Sequence, residues 1–128
     1  MLNPLEEAVH DAVVPLRNDI EPSHFQFFFT WRYAVEMVGA PLFGDGTVQG
    51  VNQASDYRDL HPNLPSILAN FDELSDEQQQ LAAVLVSFVD LEQGVALLRR
   101  TGSRDLMTIA RRHSHLRRII ARLILCAV

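Results

Sequence analysis

Apolar residues recur at three- and four-residue intervals along most of this chain, the period of an amphipathic helix. The densest stretch is SHFQFFFTWRYAVEMVG, from Ser23 to Gly39. Phe27, Phe28, Trp31, Ala34, Val35 and Val38 share one face of a helix, and Phe25, Phe29, Tyr33 and Met37 form a second line at i, i+4 spacing. Ser23 followed by Gln26 reads as a capping box, and Gly39 followed by Pro41 reads as a stop. The spacing predicts a helix over 24–38. Apolar on nearly every side, it is expected to lie buried at the centre of an all-α domain.

Three further helices follow from the same pattern. Asn3-Pro4-Leu5-Glu6 is a helix start, and Leu5, Ala8, Val9, Ala12, Val13, Leu16 and Ile20 continue a stripe over about 4–20, kinked at Pro15. Ser75 with Gln78 forms a second capping box, and Leu81, Val84, Phe88, Leu91, Val95 and Leu98 keep a heptad seam over 76–100. After Gly102, Ser103 caps a last helix over 104–127, with Leu106, Ile109, His113, Leu116, Ile120, Leu123 and Ala127 as its seam. Two seamed helices joined by a short turn predict a long C-terminal antiparallel hairpin. In it Leu81, Phe88, Val95, Leu106, Leu116 and Leu123 pack together. Folding about Gly102 brings Arg111 and Arg112 level with Glu92, and His113 level with Asp90. The expected architecture is a four-helix bundle-like single domain.

Residues 40–64 break the periodicity. Gly44, Gly46 and Gly50, with Asp45 and Asn52, mark turns. Short helices are expected near 53–60 and 65–71, and GDGTVQG allows a small hairpin. The Lys of a phosphate-binding Gly-x-x-x-x-Gly-Lys loop is missing. The segment reads as a loop around the core, with Leu42, Phe43 and Val51 tucked in.

Composition adds limits. With 128 residues, 48% hydrophobic and 21% charged, the chain is long enough for one domain with a real core. Its longest apolar run, 81–89, is far short of the ~20 residues of a membrane span. The acidic start has no basic stretch of a signal peptide and Cys126 is third from the end, so neither a signal peptide nor a prenylation signal is expected. A lone cysteine cannot form an internal disulfide, which fits a reducing, cytoplasmic location.

Charge layout changes the picture more. Residues 1–98 carry fifteen acids and three arginines, and residues 99–128 carry eight arginines and one acid. Arg104, Arg111, His115, Arg118 and Arg122 fall within a ~60° sector of the last helix. An all-basic stripe of this kind is solvated, neutralised by acidic helices of the same chain or a second subunit, or docked on an acidic protein or nucleic acid. Ile109-Ala110, Ser114, Ile119-Ile120 and Arg122 loosely follow helix-turn-helix spacing, but no residue there breaks a helix. His113, in the seam, reads as a paired core histidine.

Catalytic and metal signals are thin. Glu7-x-x-His10 has di-iron spacing, but Pro22 interrupts the second pair, Glu21-x-x-His24, and Glu36 and Glu92 would have to complete the set. Spaced Cys/His sets and Gly-x-Ser-x-Gly are absent. No cofactor is expected. These patterns favour a small cytoplasmic, non-enzymatic adaptor or regulator acting by protein–protein contact, as a homodimer through Phe25, Phe29, Tyr33 and Met37. The alternative is a nucleic-acid-binding regulator using the arginine stripe, and a helical-bundle metalloenzyme comes third.

Overall fold

A computed structural model describes residues 22–103 and 105–127. The helix expected over 4–20, with its kink at Pro15, lies outside the described residues. The described chain is all-α, with seven α-helices, three short 3-10 turns and no strand. None of its helices is long and apolar enough to cross a membrane.

Helix α1 runs Pro22–Val38. It ends where Gly39, at φ 136°, donates its N–H back to the carbonyl of Val35. Phe27, Thr30, Trp31, Ala34, Val35 and Val38 are buried, so this helix has an inner face. Two members of its second apolar line are not core: Phe29 and Tyr33 are 60% and 55% exposed. The expectation of an all-round buried helix therefore fails here. Arg32 and Glu36 share the outer side with the two aromatics and form an ion pair there.

The connection over 39–63 wraps the core. Helix α2, Val48–Gln53, is capped by the Thr47 hydroxyl. A 3-10 turn over Tyr57–Leu60 is held by a capping box of Asp56 and Asp59. Leu42, Phe43, Val51 and Leu60 are buried, as the tucked-in reading expects. Trp31 donates its indole N–H to the carbonyl of Leu60 at 2.9 Å, tying the loop to α1. Gly44 has φ 57°, and a Cβ there would sit 2.5 Å from the carbonyl oxygen of Asp59, so only glycine fits. GDGTVQG forms no hairpin, because Thr47 opens a helix instead. Helix α3 covers Leu64–Asn70, capped by Asn63, and tightens into a 3-10 turn over Phe71–Glu73.

Helix α4, Asp76–Ser87, is the buried one. Every residue from Gln80 to Val86 is buried. Its Ser75–Gln78 capping box forms as expected. Continuity over 76–100 does not. The helix ends at Ser87, and Asp90 caps a new helix, α5, over Leu91–Arg100. Aspartate competes for backbone N–H groups and favours caps over helix interiors. The two helices fold back on each other: Ser87 meets Gly94, and Gln80 lies 3.2 Å from the Thr101 hydroxyl. That pairing is antiparallel, so the helical hairpin lies inside the segment expected to be one helix.

The expected 104–127 helix is also broken. Helix α6 covers Leu106–Arg112, capped by Asp105 rather than Ser103, and helix α7 covers Leu116–Cys126. Their junction, 113–115, is a turn. Helix α7 packs chiefly on α1, with Cys126 beside Gln26. The hairpin about Gly102 is therefore absent. Of its expected contacts, Leu81, Leu116 and Leu123 are fully buried, each in a different setting from the one expected. Phe88 is at the rim, 36% exposed, edge-on to Phe27 and Trp31. Val95 is half-buried, and the side chain of Leu106 lies outside the described residues.

Gly94 is the closest approach in the α4–α5 pair. A Cβ there would lie 2.6 Å from both Cα and N of Ser87, backbone atoms that cannot swing away. Gly→Ala inside a helix ordinarily stabilises by about 1 kcal/mol. Gly94→Ala is expected to do the reverse, destabilising by about 1–3 kcal/mol through overpacking. Urea denaturation of the two proteins measures the sign. A more stable Gly94→Ala protein would contradict the packing.

Candidate functional site

Two surfaces carry the residues singled out by the sequence. The first is the outer face of α1. Phe29 and Tyr33 stand one turn apart, and the Arg32 Nε–Glu36 Oε1 pair at 3.5 Å lies between and beyond them. Phe29 touches the ring of Phe28 at 5.9 Å between centroids. Met37, the last member of the expected line, is half-buried and packs against the core. The side chain of Phe25 lies outside the described residues. What remains is a compact amphipathic face of two aromatic rings and one acid–base pair.

The second surface is cationic and sits on α6, α7 and the turn between them. The break at 113–115 divides the expected stripe between two helices and a turn. Arg111 is exposed on α6, His115 is in the turn, and Arg118 (exposed) and Arg122 (half-buried) are on α7. Arg104 lies outside the described residues. His115 Nε2 pairs with Glu77 Oε1, at the start of α4. Arg118 is engaged as well. Arg122 lies near the buried Cys126 thiol, whose pKa burial raises and the guanidinium partly restores.

The residues that matter most at this corner are ones the stripe omitted. Arg112 Nη2 and His113 Nε2 both reach Asp76 Oδ2, at 2.8 and 2.7 Å. Arg112 Nη1 also lies 3.4 Å from the hydroxyl of buried Ser103. The expected partners, Glu92 and Asp90, are wrong because the hairpin that would supply them does not form. His113 is a paired histidine, as expected, but paired with Asp76. The signal was present in Ser75-Asp76-Glu77: two acids in the first turn of a helix mark its positive end, where an approaching chain meets concentrated charge. Nothing local showed which cations would arrive.

Burial raises the Asp76 pKa, but the His113 hydrogen bond, the Arg112 charge and the Gln80 contact outweigh it, so the carboxyl is held below its ordinary value. Asp105 is lowered by the N–H and hydroxyl of Thr108, and Asp45 by the hydroxyl and N–H of Thr47.

Of the metal candidates, Glu7, His10 and Glu21 lie outside the described residues, as does the side chain of His24. Glu36 is paired with Arg32, and Glu92 is exposed. Among the described residues, no group of three or more His, Cys, Asp or Glu side chains could hold a metal ion. Comparison with protein-family models, curated proteins and solved structures finds no match.

The Asp76 contacts give a signed pH dependence. A carboxyl with a lowered folded-state pKa stabilises the fold above its unfolded value, about 3.9, and loses that contribution as pH falls through the lower folded value. Asp76→Asn should therefore reduce stability near neutral pH and make little difference well below pH ~4. Urea midpoints of both proteins at the two pH values decide it. An equal deficit at both would show that the loss comes from packing instead.

Proposed function

We propose that this chain is a non-catalytic regulatory or adaptor protein that works by protein–protein contact, and that it pairs with a second copy through the outer face of α1. The observation that supports this is the exposure of Phe29 and Tyr33, side by side on a regular helix. Exposed neighbouring aromatics are the side chains that supply most of the energy at protein interfaces. The choice of a second copy rests on charge. The face carries one arginine and one glutamate beside the rings, so a two-fold, antiparallel apposition of two α1 helices offers each Arg32 a partner acid and a partner ring. A strongly acidic or basic partner would leave one of these charges unmatched. A reducing, cytoplasmic setting suits the lone buried Cys126 thiol.

Sedimentation equilibrium of the full chain tests this. The wild type is expected to show a concentration-dependent monomer–dimer equilibrium. Phe29→Ser with Tyr33→Ser is expected to weaken it at least ~10-fold, as loss of interface anchors does, with an unchanged far-UV circular dichroism spectrum. A wild type that stays monomeric at all accessible concentrations would overturn the reading. So would a dimer that the double substitution leaves intact.

A further inference from the structure

Two apolar seams in this chain have no partner among the described residues. The first runs along α5. Phe88, Leu91, Val95 and Leu98 keep the three-and-four spacing expected to pack in the long C-terminal hairpin, and that hairpin does not form. Among the described residues α5 packs chiefly on α4, and its buried residues are Gly94 and Leu97. The seam lies to one side of that contact. Leu91 is 68% exposed, and Val89, in the turn before it, is 58% exposed. Phe88 is at the rim, and Val95 and Leu98 are half-buried. An exposed line of large apolar side chains marks a contact site. The second seam is Leu5, Val9, Ala12, Val13, Leu16 and Ile20, within residues 1–21, which lie outside the described residues. In helical register Glu7, Asp11 and Asn18 fall opposite it, so the sequence offers one face to protein and one to water.

We propose that residues 4–20 dock on the α5 seam of their own chain, over Phe88, Leu91 and Val95 with Val89 at the edge. The place where the segment joins the fold selects this seat. Helix α1 begins at Pro22, and the ring of Phe27 lies 5.8 Å from that of Phe88. At 1.5 Å per residue, position 21 is about 9 Å along the α1 axis from Phe27, so the segment is delivered to the start of the seam with little chain to cross. A proline disfavours helical backbone at the residue before it, so Pro22 favours a turn there over an extension of α1. The lengths agree as well. Residues 4–20 in helical register reach about 25 Å, and α5 reaches about 15 Å, so one can line the other. A short tether gives the segment a local concentration of order mM, which favours it over a second copy or a foreign protein. Pairing through the outer face of α1 is a separate matter, because this seat leaves Phe29 and Tyr33 exposed.

Native-state hydrogen exchange of the full chain reads this docking amide by amide. Amides of 5–20 are expected to exchange at least ~10-fold more slowly than in a free peptide of the same sequence. Val89→Gln with Leu91→Gln changes side chains that the described fold already exposes. Helices α1 and α4 should therefore keep their protection, while that of 5–20 falls at least ~10-fold. Val9→Gln with Val13→Gln should have the same effect from the other side. Near-UV circular dichroism checks that each variant keeps its core, and Leu91→Ala is read in the same way should a glutamine variant fail to fold. Four results would overturn the proposal: exchange of 5–20 as fast as in the free peptide, protection that survives the Val89 and Leu91 changes, an equal loss with Phe29→Ser and Tyr33→Ser, or protection that appears only as protein concentration rises. The third would seat the segment on the outer face of α1, and the last on a second copy.

Discussion

The first turn of α4 is where the structure is tied together. Helix α4 is buried over seven successive residues, Gln80 to Val86, and its more exposed first turn carries the polar contacts that join it to its neighbours. Ser75 and Gln78 satisfy each other's backbone N–H groups. The same Gln78 amide donates to the carbonyls of Met37 and Val38, both at 3.1 Å, and so satisfies the last turn of α1, which has no basic residue of its own. Asp76 receives Arg112 and His113, and Glu77 receives His115. Three consecutive side chains thus join α4 to the end of α1 and to the corner between α6 and α7. Those carboxylates pin the corner at His113, while the buried apolar side chains of α7 pack it against α1.

Much of the fold was legible because local signals and tertiary packing agreed. Gly39, Pro41 and the Ser75–Gln78 box marked real helix ends. Phe27, Trp31, Val35 and Val38 were on the face that is buried. The irregular segment placed Leu42, Phe43 and Val51 in the core, as short loops around a small core must. The two breaks were hidden because the three-and-four periodicity continues through both of them. Leu91 is in phase with Phe88, and Leu116 with His113, so the seam reads as one helix in each case. The first break depends on Asp90 acting as a cap and on Gly94 admitting the Ser87 backbone, a contact that exists only after the chain folds back. The second is met by Asp76, thirty-six and thirty-seven residues before Arg112 and His113, and by Glu77 opposite His115.

Centrality was misread for a related reason. Aromatic bulk made α1 look like the innermost helix. Burial instead falls on α4, whose alanines, Ala82 and Ala83, let neighbours approach on every side. Small residues reveal little about exposure in a sequence, whereas large ones suggest burial even when, like Phe29 and Tyr33, they face out. The basic stripe was legible as composition, but its partition was not. Some of its charge closes the fold at Glu77, the neighbouring Arg112 and His113 do the same at Asp76, and Arg111, Arg118 and Arg122 line α6 and α7.

The carboxylates opening α4 hold the α6–α7 corner through Arg112, His113 and His115. Native-state amide hydrogen exchange, compared between the wild type and Asp76→Asn with Glu77→Gln, tests it directly. Amides of α6, the 113–115 turn and the start of α7 are expected to lose protection, while those of α4 and α5 keep theirs. Unchanged protection at the corner, or an equal loss throughout the chain, would contradict it.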